Sequence, residues 1–123
     1  MKLVEIHKDK RGYTHTIEDT NLGCPEITLF YTKKGYARGG CVHRYTDEWF
    51  SVISGEVNLV YGDILVRMET GMTVGIPKGI PHYFVSKTDS VILEWGCSPE
   101  EKKEKNETFR NIVNQINDSA DRT

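Results

Sequence analysis

The stretch Gly35-Tyr-Ala-Arg38-Gly-Gly-Cys41-Val-His43-Arg-Tyr45-Thr-Asp-Glu48-Trp-Phe50-Ser-Val-Ile-Ser-Gly55 decides how the rest of the chain is read. Cys41 and His43 are two residues apart in a strand-like run, so alternation predicts that both side chains share one face. Glu48 opens the next strand-like run after Arg44–Asp47, and Gly55 supplies a turn. A second stretch, Gly71 to Ser86, carries Pro77-Lys78-Gly79-Ile80-Pro81 and then His82 at the start of another strand. A barrel can bring the starts of such strands to one end, where two imidazoles, a carboxylate and a thiol would meet.

Working outward, the chain from Leu3 to Trp95 reads as many short strands separated by turn residues, the pattern of a sandwich or barrel. β-Branched and aromatic residues dominate these runs. The clearest hairpin is Val57–Tyr61, then Gly62-Asp63, then Ile64–Met68, because a Gly-led two-residue loop takes the positive φ of tight hairpin turns. After Trp95 the period changes. Ser98-Pro99-Glu100-Glu101 has the form of a capping box with Pro at the first helical position. Phe109, Ile112, Val113 and Ile116 then follow helical spacing. The expectation is one amphipathic helix over Pro99–Gln115, lying on the barrel or on a partner, with a frayed polar tail from Asn117. Residues 1–98 would form the barrel, and 99–123 a helix and tail of the same single domain.

Composition fits this reading. The 123 residues suffice for one core. The net charge of -2 and the lack of a basic stripe give no reason to expect nucleic-acid binding. No apolar run is long enough to span a bilayer. The N-terminal residues lack the apolar stretch of a signal peptide, and Cys24, Cys41 and Cys97 form no framework, so a cytoplasmic location is expected.

The two glycine-bounded stretches resemble the cupin superfamily. Its first motif has Gly, five residues, His-x-His, four residues, Glu, six residues, Gly. Here it reads Gly35, Cys41-Val-His43, Glu48 and Gly55 at the same spacings. Its second motif, Gly, five residues, Pro-x-Gly, two residues, His, three residues, Asn, is matched by Gly71, Pro77-Lys-Gly79, His82 and Ser86. Cys41 stands in place of the first His and Ser86 in place of the Asn. The resemblance implies an all-β jelly roll, a double-stranded β-helix, with a divalent metal inside it. It carries His43, Glu48 and His82 over as ligands, with Cys41 in the fourth position.

The donor chemistry points to the same ions. Two imidazoles and a carboxylate suit Fe, Mn or Ni and leave open positions for substrate, whereas a thiolate from Cys41 would favour Zn. Without a metal, the buried Glu48 would still need a partner.

A looser resemblance links Asp9-Lys-Arg11-Gly12 and Arg38–Arg44 to the small cupins that isomerise or epimerise nucleotide-linked 4-keto-6-deoxy sugars. It implies His43 as a base on a carbon beside a ketone. Arg38, Tyr45 and Phe50 are the candidate substrate-binding residues. Arg38 offers a planar fork for phosphate or carboxylate, Tyr45 an aromatic face and Phe50 part of the barrel wall.

The resulting expectation is a metal-binding protein acting on a small polar molecule, with sugar or sugar-nucleotide isomerisation first. Alternatives are a metal-dependent oxygenase and a non-catalytic ligand-binding cupin. Trp49 and Ile53 should point away from the interior. With the helix they suggest a homodimer; no nucleic-acid or membrane partner is expected.

Overall fold

Strand formation follows the alternation of apolar and polar residues closely. The computed structural model describes residues 2–18, 26–97, 101 and 103–123. The strands are β1 (Lys2–Asp9), β2 (Gly12–Glu18), β3 (Glu26–Thr32), β4 (Ala37–Val42), β5 (Glu48–Ser54) and β6 (Glu56–Tyr61). They continue with β7 (Ile64–Glu69), β8 (Thr73–Ile76), β9 (His82–Ser86), β10 (Ser90–Cys97) and β11 (Glu104–Lys105), and α1 (Glu107–Asp121) ends the fold. A six-stranded sheet runs β1-β2-β3-β10-β5-β8 and faces a five-stranded sheet, β11-β4-β9-β6-β7. Every pairing is antiparallel, as the expected jelly roll requires. The hairpin closes where it was read, with Tyr61 opposite Ile64.

Between the sheets lie Phe50, Val52, Val57, Leu59, Met68, Ile76, Phe84 and Ile92, all essentially buried. Each such side chain contributes about 1.5–3 kcal/mol by leaving water. Phe84 is the hinge of the cluster, 5.1 Å from the Phe50 ring and 5.8 Å from Phe30. Phe50 is fully buried in this core. It supports the wall and is not among the described residues that line the pocket below.

The helix begins later than expected. Ser98 and Pro99, which suggested its start, lie outside the described residues. Glu104–Lys105 instead form β11 against Val42 and Cys41. Asn106 is the N-cap, its side chain accepting from the Phe109 N–H at 3.0 Å. An edge strand at β4 therefore captures residues that local helix signals had claimed. At the other end the helix continues through Asn117, whose side chain bonds both the N–H and the carbonyl of Ala37 at 2.8 and 3.1 Å.

The helix lies on the barrel, over β4 and β9. Val113 is completely buried there, and Phe109 meets Tyr83 edge-on at 5.3 Å. Close approach needs Gly40: a Cβ at that position would lie 2.7 Å from Arg110 Cδ and 2.9 Å from its backbone N. The outer face of the six-stranded sheet is different. Trp49 and Trp95 stack there at 5.8 Å and remain 43% and 38% exposed. Among the described residues, no helix is long and apolar enough to cross a membrane.

Candidate metal centre

Three strands supply the centre. Glu48 begins β5, His82 begins β9, and His43 follows the end of β4. All are buried. Glu48 receives one imidazole on each oxygen. His43 Nε2 lies 2.6 Å from Oε2, and His82 Nε2 lies 3.1 Å from Oε1. The three residues far apart in sequence thus share one carboxylate.

Each ring has a polar group behind it. His82 Nδ1–H donates to the Ile80 carbonyl at 3.2 Å, which turns Nε2 inward. His43 Nδ1 faces Glu101 Oε2 at 3.7 Å. Glu101 is itself fixed by the Tyr45 N–H at 2.7 Å and by the Thr46 hydroxyl. Backing of imidazoles by carbonyl or carboxylate is the usual orientation of metal-binding histidines.

Sequence reasoning missed Cys97 and Glu94. Cys97 Sγ donates to Glu48 Oε2 at 3.0 Å. His43, Glu48 and Cys97 offer ligand atoms that all lie within 4.8 Å of one another, as do Glu48, His82 and Glu94. Cys41 joins neither group. It faces His82 across the β4–β9 ladder and lines the adjoining pocket.

Two β-bulges set which side chains face inward here. In β10 the register shifts between Trp95 and Cys97. Gly96, at φ 101°, absorbs the shift, and a Cβ there would lie 2.8 Å from Trp49 Cδ1. Strict alternation would send Cys97 outward with Trp95; the bulge returns it to the inside. In β4 a shift between Gly39 and Cys41 aligns Arg38 with the core residue Phe84 and Cys41 with His82. Glu94 had a legible signal, since it continues the inward positions Ser90 and Ile92 along β10.

Tyr45 is 73% exposed. β4 ends at Val42, so alternation no longer governs residue 45, and the ring does not line the pocket. Tyr36, another aromatic considered for a pocket, donates its hydroxyl to Asp121 on the helix at 2.9 Å.

Electrostatics favour a cation here. Burial opposes charge on Glu48, but the His43 and His82 imidazoles outweigh it and hold the carboxyl far below its usual range. Burial, reinforced by the Glu48 charge, pushes Glu94 up. Burial and Glu48 likewise push the Cys97 thiol well up. For His82, burial disfavours the charge, yet Glu48 and Glu94 raise its value overall.

The donors fit a metal ion. Neither ring nitrogen of His43 has a hydrogen-bond partner among the described residues, despite the 2.6 Å approach to Glu48. A buried imidazole this close to a carboxylate, yet outside hydrogen-bond geometry, fits a cation held between the two. His43, Glu48, Glu94 and Cys97 also border a void of about 10 Å³, room for little more than one water-sized sphere. Beside it opens a pocket of about 200 Å³, bordered by His43, His82, Cys41, Glu94 and Arg38 among others.

The sequence matches the cupin domain family over residues 30–98. With the motif spacings and the jelly roll already described, this chain belongs to the cupin family. No curated protein matches it. Among solved structures, it resembles the capsular polysaccharide assembling protein CapF from Staphylococcus aureus, with 23% identity and a TM-score of 0.64 over 77% of this chain and 28% of that one. It also resembles a variant of oxalate decarboxylase from Bacillus subtilis, with 19% identity and a TM-score of 0.70 over 82% of this chain and 29% of that one. The chain thus spans about a third or less of the length of these relatives, and the likeness is one of fold.

Proposed function

We propose that this cupin binds one divalent metal ion through His43, Glu48 and His82, supplemented by Cys97 or Glu94, and acts on a small polar molecule. The observation that carries this reading is Glu48 meeting an imidazole on each oxygen beside a 200 Å³ pocket. A bound ion would supply Lewis-acid polarisation of a carbonyl or hydroxyl oxygen. The Ile80 carbonyl orients His82, and Glu101 stands 3.7 Å behind His43. Both His43 ring nitrogens face carboxylates, so we assign His43 to the metal and not to proton abstraction from substrate.

The reaction class we favour is isomerisation or epimerisation of a sugar-like hydroxycarbonyl compound. Cys97 supports it, because sulfur among the donors suits Zn, which polarises oxygen without redox chemistry. A second reading has its own support. Glu48, His82 and Glu94 provide only nitrogen and oxygen donors, which suits Fe or Mn and an oxygenase. Elemental analysis of the purified protein tests both. Zn or Ni near one equivalent supports the first, and Fe the second. Absence of metal after purification and after reconstitution would sink the metal reading. Bound metal and ligand with no turnover would leave a binding protein.

We also propose a homodimer through the outer face of the six-stranded sheet. Six strands spaced about 4.8 Å apart and about 20 Å long present roughly 500–600 Å² in plan. That approaches the ~800 Å² each partner contributes to a stable interface, and Trp49, Trp95 and Ile53 lie exposed on it. Light scattering should give twice the chain mass, and Trp95→Lys should give monomer. A monomeric wild type would refute the pairing.

A further inference from the structure

Arg38 presents a problem that the metal centre does not solve. It is only 4% exposed, on a strand position aligned with the core residue Phe84. Among the described residues, no carboxylate lies within the 4.0 Å ion-pair distance of its guanidinium; Asp9, the acid nearest in influence, is engaged by Arg11 at 2.7 Å. Arg38 Nε donates to Thr32 Oγ1 at 2.8 Å and Nη2 to the Tyr31 carbonyl at 3.3 Å. The cation also lies 5.6 Å from the Phe30 ring centroid. A guanidinium carries five N–H donors, and among the described residues two of them have partners. Burying a charge without a counter-charge is strongly unfavourable. Burial and the charge of Arg11 together pull the Arg38 value down to about 10, the mark of a cation with too little compensation.

Further cations line the pocket. Arg11 is paired with Asp9, and Lys103 lies 3.8 Å from Glu94. Arg110 donates to the Gly39 carbonyl at 2.7 Å and has no carboxylate partner among the described residues. Among the described residues of the pocket wall Glu94 is the only carboxylate, and it is shared between the Glu48–His82 group and Lys103. Arg38 and the metal-centre imidazoles border the same cavity. A ligand held there would therefore have negative charge at one end and reach the metal centre with the other.

We propose that the pocket takes a small organic carboxylate, with Arg38 as its anchor. This rests on reading the cavity beside the metal centre as the ligand site. The planar fork matches the two oxygens of a carboxylate. A volume near 200 Å³ is below the range for drug-sized ligands, which limits the enclosed part to an acid of a few carbons or a single sugar acid. Nothing in this depends on which metal is bound.

Titration calorimetry and thermal shift on the full chain test it, using pyruvate, malonate and glucuronate against the uncharged malonamide and glucose. The acids should stabilise the wild type and the uncharged analogues should not. Arg38→Gln should weaken acid binding at least about tenfold while metal content is unchanged, and Arg38→Lys should recover only part of it. Without ligand, Arg38→Met should melt no lower than wild type, since it removes an uncompensated charge; a merely structural arginine would give a lower midpoint. If the Arg38 variants fail to fold, the comparison of malonate with malonamide on wild-type protein decides. Preference for glucuronate alone identifies a sugar acid, and preference for pyruvate or malonate a simple acid; both support the proposal. Equal binding of charged and uncharged probes, or no binding of any acid to protein that holds metal, overturns it. Arg38-dependent acid binding to protein that retains no metal upholds it while defeating the metal reading.

Discussion

The interior of the barrel is two regions built on the same strands. β5 runs from Glu48 to Phe50 and Val52, β9 from His82 to Phe84, and β10 from Ile92 to Glu94 and Cys97. Two residues along each strand, the lining changes from apolar to ionisable. The apolar half satisfies itself by close packing. The ionisable half does not: it concentrates carboxyls, imidazoles and a thiol around one void, which burial penalises. Substitutions in the first half should therefore be read in folding stability, and substitutions in the second in what the protein binds.

The largest effect should come from Phe84→Ala. Deleting a buried ring that touches both Phe50 and Phe30 should cost about 3–5 kcal/mol, measured by urea unfolding. A loss under ~1 kcal/mol would mean that the core collapses around the gap. Next, His82→Ala should abolish metal retention in elemental analysis while the chain remains folded by circular dichroism. Unchanged metal content would remove His82 from the ligand set.

The two cysteines sharpen the contrast further. Cys97→Ser should lower Zn affinity, whereas Cys41→Ser should leave it near wild type, in competition with a chromophoric chelator. The reverse order would show that the thiol in the pocket wall, not the one beside Glu48, is the ligand. Glu101→Gln, which loosens the backing of His43, should weaken metal binding by about 10-fold, the lower end for residues that orient ligands.

The smallest effect concerns the helix end. Lys10 and the Tyr36 hydroxyl both bond Asp121 and hold its carboxyl below the usual range. That contribution is present above the unfolded aspartate value and is lost as pH falls through the depressed folded value. Hydrogen exchange of the last helical turn should speed up in that acidic window, and Asp121→Asn should remove the dependence. An identical pH profile in the variant would show that the tether contributes nothing.

Most of the architecture was legible because alternation survives wherever strands are regular. Glu48, Phe50 and Val52 face inward and Trp49 and Ile53 outward, as a period of two requires. Legibility ends where regularity stops. Tyr45 lies beyond the end of β4, where side-chain direction is set by the bend. Cys97 is turned inward by a bulge, and a bulge leaves almost no trace in composition beyond a glycine. The helix start failed for a different reason. Ser98-Pro99 is a good local signal, but pairing of Glu104–Lys105 with β4 is a contact distant in sequence, which no local pattern encodes.

The bulge at Gly96 has an evolutionary reading. Replacing that glycine by a β-branched residue, which disfavours φ 101°, would press the strand toward simple alternation, swing the Cys97 sulfur to the outer surface, and leave His43, Glu48, His82 and Glu94 where they are. One changed codon would thus convert a sulfur-containing coordination environment into one of nitrogen and oxygen alone. Preference among transition metals could then change in descendants of this chain through a single glycine, with no ligand ever replaced by another amino acid.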